Sequence, residues 1–333
     1  MPESKKRLSG AKKDAMLEAL QDITIGETPE WGTGSAAKFL EAVLSSTDLF
    51  PCTFAVAAAR KSTLRLGYID GTDRQDDWAS LPDLLRRYLE EYRSLSKETS
   101  LVVLFRPEGR PLSMDAYRDR FWAVLRYLVA KDSQPWPEDL PNDPDEPMWE
   151  FAFGGTPIFV VCNTPVHDRR RSRHADQFMI TFQPRWVFEG LEAESPRGAA
   201  ARRTIRARLR KYDTVEPSPH LGSYGAAENR EWRQYFIDDD NTPAAEGERC
   251  PFHAGAGAAA AFQPVPGDNG SGAAGSWLVV VNAEGQHSVW EAERALPTGW
   301  HPVGMSGTRD ACLDRIAELW PDPRPHLTPQ DAR

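Results

Sequence analysis

Cysteine and histidine are scarce in this chain of 333 residues, four and seven respectively. The four thiols, Cys52, Cys162, Cys250 and Cys312, lie far apart with no Cys-x-x-Cys pair, so a disulfide framework is not expected. No run approaches the roughly 18 apolar residues of a membrane span, and the opening segment MPESKKRLSGAKKDAM lacks the apolar stretch of a signal peptide. Positive charge is in deficit overall: 40 Lys and Arg stand against 49 Asp and Glu, a net charge of -9, which counts against a general nucleic-acid binder. No flavin or nicotinamide fingerprint is present, so any redox chemistry needs oxygen or peroxide and an external reductant. The expectation is a soluble, reduced, cytoplasmic protein with no nucleic-acid and no membrane partner. A homodimer is compatible with all of this.

Material for a core is plentiful, with 11 tryptophans and 40% hydrophobic residues, and the length accommodates two domains. The spacing predicts a helix over 36–45, a strand over 64–69 and a long amphipathic helix over 81–95 carrying Leu84, Leu85, Tyr88, Leu89 and Tyr92 on one stripe. SLVVLF (100–105) reads as a buried strand, and Ser113 caps a helix bearing Tyr117, Phe121, Trp122, Leu125 and Leu128. PWPEDLPNDPDEP (135–147) has too many prolines for helix or ladder and reads as an ordered loop. Strands over 148–153 and 158–161 join through Gly154-Gly155, followed by a strand over 178–182 and an arginine-rich helix over 197–212. Strands and helices mix without strict alternation, which predicts an α+β fold with a mixed sheet and packed helices. Residues 1–30 read as a flexible arm, 31–242 as the main domain, 243–275 as an Ala/Gly/Pro-rich linker, and 276–330 as a small strand-rich domain.

The stretch PIFVVCNTPVHDRRRSRH (157–174) ends an apolar run on Cys162, turns, presents His167 and then a cluster of arginines. Three readings stay open for it: a metal or haem ligand, a Cys162–His167 nucleophile pair, or an ordinary turn beside a solvated basic patch. The segments FPCTFA, TSLVVLF, PWPEDLPNDPDEPMWEFAF, PIFVVCNTP, ITFQPRWVFE and YGAAENREWRQYF together resemble the YqcI/YcgG family across nearly the whole main domain. The resemblance implies a haem b enzyme that hydroxylates a side-chain nitrogen, guanidine or amine, of a basic amino acid such as arginine in natural-product biosynthesis. On that basis His167 is a candidate iron ligand, with Arg169, Arg171 and Arg173 placed to pair with haem propionates. Cys250 and His253 in CPFH are the competing ligands, and Asp145, Glu150 and Glu231 are candidates to hold a substrate guanidinium or amine.

The last sixty residues carry Asn282, Glu284, Gln286, Ser288 and Trp290 at alternate positions, then Pro297-x-Gly299-Trp300, Cys312-Leu313, Trp320 and Arg324-Pro325. This pattern resembles the MbtH-like proteins, with Glu291 where that family usually has proline. The resemblance implies a three-stranded antiparallel sheet with one helix, expected over 309–319. It also implies a nonribosomal peptide synthetase adenylation domain as partner, met through Ser288, Trp290 and Trp300. Two other readings remain: an adaptor whose main domain only binds haem or a ligand, and a non-haem, cysteine-dependent enzyme.

Overall fold

The computed structural model describes residues 18–72, 75–192, 195–223, 226–243, 249–252, 277–282, 287–291, 296, 300–307, 312 and 316. The chain divides into two units, Met1–Phe262 and Gln263–Arg333. In the first unit α1 (Glu30–Leu44), α2 (Thr53–Arg60), β1 (Leu64–Ile69), α3 (Leu81–Leu95), β2 (Ser100–Phe105) and α4 (Met114–Ala130) come first. Then follow β3 (Ala152–Phe153), β4 (Thr156–Asn163), β5 (Met179–Pro184), α5 (Pro196–Tyr212) and the single turn α6 (Trp232–Tyr235). The strands form one mixed sheet in the order β1-β2-β5-β4-β3, with β1 and β2 parallel and the remaining pairs antiparallel. The α+β expectation holds.

Alternation along three strands gives the sheet two chemically different faces. Leu101, Val103 and Phe105 of β2, Ile158, Val160 and Cys162 of β4, and Ile180 and Phe182 of β5 all point into one apolar core. Leu85 and Tyr88 of α3 and Phe121, Trp122, Leu125 and Leu128 of α4 close that core. The stripe of α3 read from the sequence is the buried one, and Ser113 caps α4 by accepting from the Ala116 N–H at 3.2 Å. On the opposite face Leu64, Leu66, Val102, Leu104 and Met179 pack with Leu20, Ile23, Ala36 and Ala58. Farther toward β4, that face turns polar with Ser100, Asn163, Thr181 and Gln183, and a cavity opens there, with α2 and α5 contributing to its walls.

Three boundaries differ from expectation. The strand over 148–153 shrinks to Ala152–Phe153, because the Phe151 N–H donates to the Tyr235 hydroxyl at 3.1 Å instead of a ladder carbonyl. The Gly154-Gly155 hairpin forms as read, both glycines having positive φ (59° and 67°), as its tight turn requires. The arm over 1–30 is not free from residue 20 onward: Ile25 N–H donates to Leu66 O and Leu66 N–H to Ile23 O, with Leu20, Ile23 and Ile25 buried. The linker boundary at 243 falls too early, since Cys250 is buried in the α3/α4 core and Phe252 packs on Trp149. Among the described residues no helix is long and apolar enough to cross a membrane.

In the second unit β6 (Trp277–Asn282), β7 (His287–Glu291) and β8 (Trp300–Gly307) form an antiparallel sheet ordered β7-β6-β8, as expected. The helix expected over 309–319 falls mostly outside the described residues, as does most of the linker.

Because Cys250 and Phe252 seal the first unit, a chain ended at 243 should be less stable than one ended at 253. The expected difference is about 2–4 kcal/mol from the lost apolar burial, read by urea unfolding of the two truncations. Coincident midpoints would show that this segment contributes nothing.

Candidate functional site

The cavity on the polar face of the sheet has a volume of about 310 Å³. Its floor is Ser100, Val102, Phe159, Val161, Asn163, Met179, Thr181 and Gln183, the residues that alternate with the core positions of β2, β4 and β5. Phe50, Cys52 and Phe54 at the start of α2 close one side, and Arg202, Ile205, Arg206 and Leu209 of α5 close another. Phe188, Glu231, Gln234 and Ile237 complete it, with Arg170 and Arg173 reaching in from the turn after β4. The wall thus carries aromatic surface, neutral polar groups, one sulfhydryl and several guanidinium groups, in keeping with a ligand site that is mostly apolar with a few placed polar groups.

Two charged arrangements border the cavity. Arg185, just past β5, donates from Nε to Glu150 at 2.6 Å and from Nη2 to Glu231, while the Tyr235 hydroxyl donates to the other Glu231 oxygen at 2.9 Å. Glu150 and Glu231 are buried, and together these two carboxylates hold the Arg185 guanidinium charged more firmly than usual against the opposing effect of burial. Arg173 is 8% exposed and donates to two main-chain carbonyls, Tyr235 O at 3.2 Å and Gln234 O at 2.9 Å. It has no carboxylate within ion-pair distance among the described residues.

Cys52 occupies the N-cap of α2, where its sulfur accepts the Ala55 N–H at 3.5 Å. Burial raises the thiol pKa, and the Ala55 and Phe54 N–H groups, Arg173 and Arg208 work in the opposite direction. Cys52 and Met179 are the sulfur side chains on the cavity wall.

His167 stands one layer behind the wall rather than in it. Its Nε2 donates to Ile237 O at 2.8 Å, which leaves Nδ1 to accept the Thr164 hydroxyl at 2.8 Å. Both ring nitrogens are used, the side chain is 1% exposed, and no lone pair is left for iron, so the sequence expectation of His167 as metal ligand is corrected. Burial depresses its pKa to about 4. The Cys162–His167 pair fails on geometry too, because Cys162 faces the α3/α4 core, where burial pushes its thiol well above the ordinary range.

The arginine cluster is a pinned turn. Asp239 accepts the main-chain N–H groups of Asp168, Arg169 and Arg170, and Asp213 accepts the Ser172 N–H and hydroxyl. Arg169 is exposed; Arg171 pairs with Asp48 and lies over the Tyr212 ring; Arg173 alone of the three expected cationic groups enters the cavity. Asp145 pairs with Arg249 at 3.4 Å away from the cavity wall, and Cys250, its thiol pushed up to about 12 by burial, is also off that wall. His253 lies outside the described residues. Of the carboxylate candidates, then, Glu150 and Glu231 come together and Asp145 does not join them.

Residues 39–253 match the YqcI/YcgG family, and residues 269–331 match the MbtH-like protein family. The chain belongs to the YqcI/YcgG family. It is 40% identical to YcgG of Bacillus subtilis (strain 168), over 74% of this chain and 95% of that one, and 38% identical to YqcI of the same organism, over 71% and 94%. It is also 32% identical, over 61% of this chain and 77% of the relative, to DcsA of Streptomyces lavendulae, which is provisionally named an N(omega)-hydroxy-L-arginine synthase. The YqcI/YcgG match runs to residue 253 and so includes Cys250 and Phe252, which pack in the core of the first unit.

In the MbtH-like domain, Trp290 is paired with Leu278, Ser288 with Val280, and Trp300 with Asn282. Leu278, Val280 and Asn282 alternate along β6, so Ser288, Trp290 and Trp300 share one face of the sheet. The two tryptophans sit toward opposite ends of β6, on different neighbouring strands, rather than directly opposite each other. The indole N–H of Trp290 has no acceptor among the described residues.

The depressed pKa of His167 has a consequence for the YqcI/YcgG domain. Above pH 6.5 the ring is neutral folded and unfolded; between 6.5 and about 4 only the unfolded chain takes up the proton, so stability falls with pH through this window. The full loss is roughly 3 kcal/mol at 1.36 kcal/mol per pH unit. His167→Asn should lower stability at pH 7 and flatten the stability–pH profile between 6.5 and 4, read by urea unfolding across that range. An unchanged slope would place the titration elsewhere.

Proposed function

We propose that the cavity of the YqcI/YcgG domain is where arginine, or a closely similar guanidine-bearing amino acid, is hydroxylated on a side-chain nitrogen. The observation that carries this reading is the Glu150–Arg185–Glu231 group, in which two carboxylates share one guanidinium and Glu231 reaches the cavity wall. A substrate guanidinium beside Glu231 meets net negative charge already oriented by Arg185 and Tyr235. The name given to DcsA supports the same substrate class. Phe159 and Phe188 supply apolar surface beside that position, suited to the aliphatic stem of the substrate.

The cofactor we propose for this reading is haem b. A haem requires a donor for its iron and cations for its propionates, and the wall offers the Cys52 sulfur together with Arg202 and Arg206 of α5. Cys52 is the residue that would hold it; burial raises its thiol pKa, and the Ala55 and Phe54 N–H groups and the Arg173 and Arg208 charges offset part of that rise, so bound iron would supply the rest of the stabilisation the thiolate needs. When bound, the haem supplies the oxygen-activating chemistry that the side chains lack, with an external reductant or peroxide supplying what it consumes. The chain's own contribution is to orient the guanidinium at Glu231 and to exclude water with the aromatic wall.

We further propose that the MbtH-like domain docks on a nonribosomal peptide synthetase adenylation domain through the face bearing Ser288, Trp290 and Trp300, bringing the hydroxylase to the assembly that uses its product. The same-face register of these three residues supports this.

Full-length protein from haem-supplemented cells, given L-arginine, oxygen and a reductant, should yield a product about 16 Da heavier, with Cys52→Ser losing the visible spectrum of the wild type and His167→Asn keeping it. A haem-loaded protein that leaves arginine and related basic amino acids unchanged would overturn the reading as an enzyme, and a spectrum unaffected by Cys52→Ser would remove Cys52 as ligand. Trp290→Ala or Trp300→Ala should weaken adenylation-domain binding by about 2 kcal/mol or more while leaving turnover of free arginine intact, read by calorimetry and by product formation. Normal binding by both variants would remove this face as the contact.

A further inference from the structure

The cavity holds a second charged feature that the guanidinium-binding role does not use. Arg173 is buried, enters the cavity, and has only carbonyl oxygens as partners among the described residues. Desolvation is costly for a buried cation that lacks an anion, and such cations in proteins are paired or bind charged ligands. Its charged neighbours only partly offset this: Arg170 enters the same cavity, tied to the carbonyls of Asp238 and Asp240 and to the Asn241 side chain, while the Asp213 carboxylate favours the Arg173 charge from beyond hydrogen-bond distance. Burial, with Arg170 adding to it, brings the Arg173 pKa down to about 10. A buried cation that enters the cavity with only carbonyl oxygens as hydrogen-bond partners points to an anionic ligand group.

The geometry points to Arg173 as the binding point for a carboxylate of the ligand held in this cavity. This rests on the arginine-hydroxylation reading for its preferred source, the α-carboxylate of the amino acid. Placing the carboxylate at Arg173 and the guanidinium at Glu231 uses two oppositely charged features of one cavity for the two ends of one substrate. The propionate of a porphyrin presents the same chemistry and is the other source. Two N–H groups in a planar fork suit a carboxylate better than an ammonium does, so Lys in this position should retain part of the effect.

The test uses the full-length chain, its Arg173→Gln and Arg173→Lys variants, and two matched pairs of probes. L-arginine against agmatine, which lacks the carboxylate, reads the substrate source; haem against its dimethyl ester reads the propionate source. Binding is measured by calorimetry or absorbance, and far-ultraviolet circular dichroism with a thermal melt establishes that each variant is folded. Wild type should prefer L-arginine to agmatine, and Arg173→Gln should weaken L-arginine about ten- to a hundred-fold while leaving agmatine within about three-fold, with Arg173→Lys between. Loss of the haem-over-ester preference in Arg173→Gln, with the arginine-to-agmatine ratio unchanged, would support the same carboxylate site filled by a propionate. Unchanged ratios in both pairs, for both folded variants, overturn the inference, as does a wild type with no preference in either pair. If arginine is hydroxylated and yet both ratios stay fixed, the inference falls and the functional reading stands. If arginine neither binds nor reacts while the haem-over-ester preference depends on Arg173, the functional reading falls and the carboxylate site stands.

Discussion

Every part of the first unit depends on what a period of two does to β2, β4 and β5. Each strand must supply apolar residues to the core under α3 and α4 and leave its alternate positions facing the other way. Leu101, Val103, Ile158, Val160, Ile180 and Phe182 meet the first demand. Ser100, Asn163, Thr181 and Gln183 then fall on the opposite face together, where they floor the cavity. A one-residue slip of β4 against β5 would turn Asn163 into the core and Cys162 into the cavity. The register therefore decides which side chains are available to a ligand, and it assigns the thiol of Cys162 to the core.

Around that floor the charges are distributed by rigid supports rather than by mobile surface chains. Asp239 gathers three consecutive N–H groups, fixing the turn that delivers Arg170 and Arg173. His167 ties the same turn to Ile237, whose side chain lines the cavity. Tyr235 links Glu231 to the N–H of Phe151, so the position of the acidic group is coupled to the segment leading into β3. Such a scaffold suits a substrate that carries charge at both ends, because neither end has to order the protein on binding.

The helices of the core were legible, since their apolar stripes are local patterns: α3 is bounded as the spacing of Leu84, Leu85, Tyr88 and Tyr92 indicates. The mixed sheet and the three-stranded tail sheet were legible too, the latter through a long family-like motif. The site was legible only in part. Glu150 and Glu231 are 81 positions apart in sequence, and nothing local announces that Arg185 joins them. His167 drew attention because it follows a strand and precedes arginines, but the pattern does not say that Ile237, seventy residues later, takes its second nitrogen. Cys52 gave the weakest signal of all, a thiol before a short alanine-rich helix. Its place in the cavity becomes visible only when α2 is set against the sheet. The polar alternation within SLVVLF, PIFVVCN and MITFQP was the available clue, because a strand buried on both faces by apolar packing has little use for Ser100, Thr181 or Gln183.

The account places one amphoteric substrate in one cavity, guanidinium at Glu231 and carboxylate at Arg173. A crystal structure of the full-length chain with L-arginine tests that most directly. The account predicts arginine density on the polar face of the sheet, with its guanidinium within hydrogen-bond distance of Glu231 and its carboxylate within hydrogen-bond distance of Arg173. Density outside this cavity, or in it with the two ends reversed, would contradict the account.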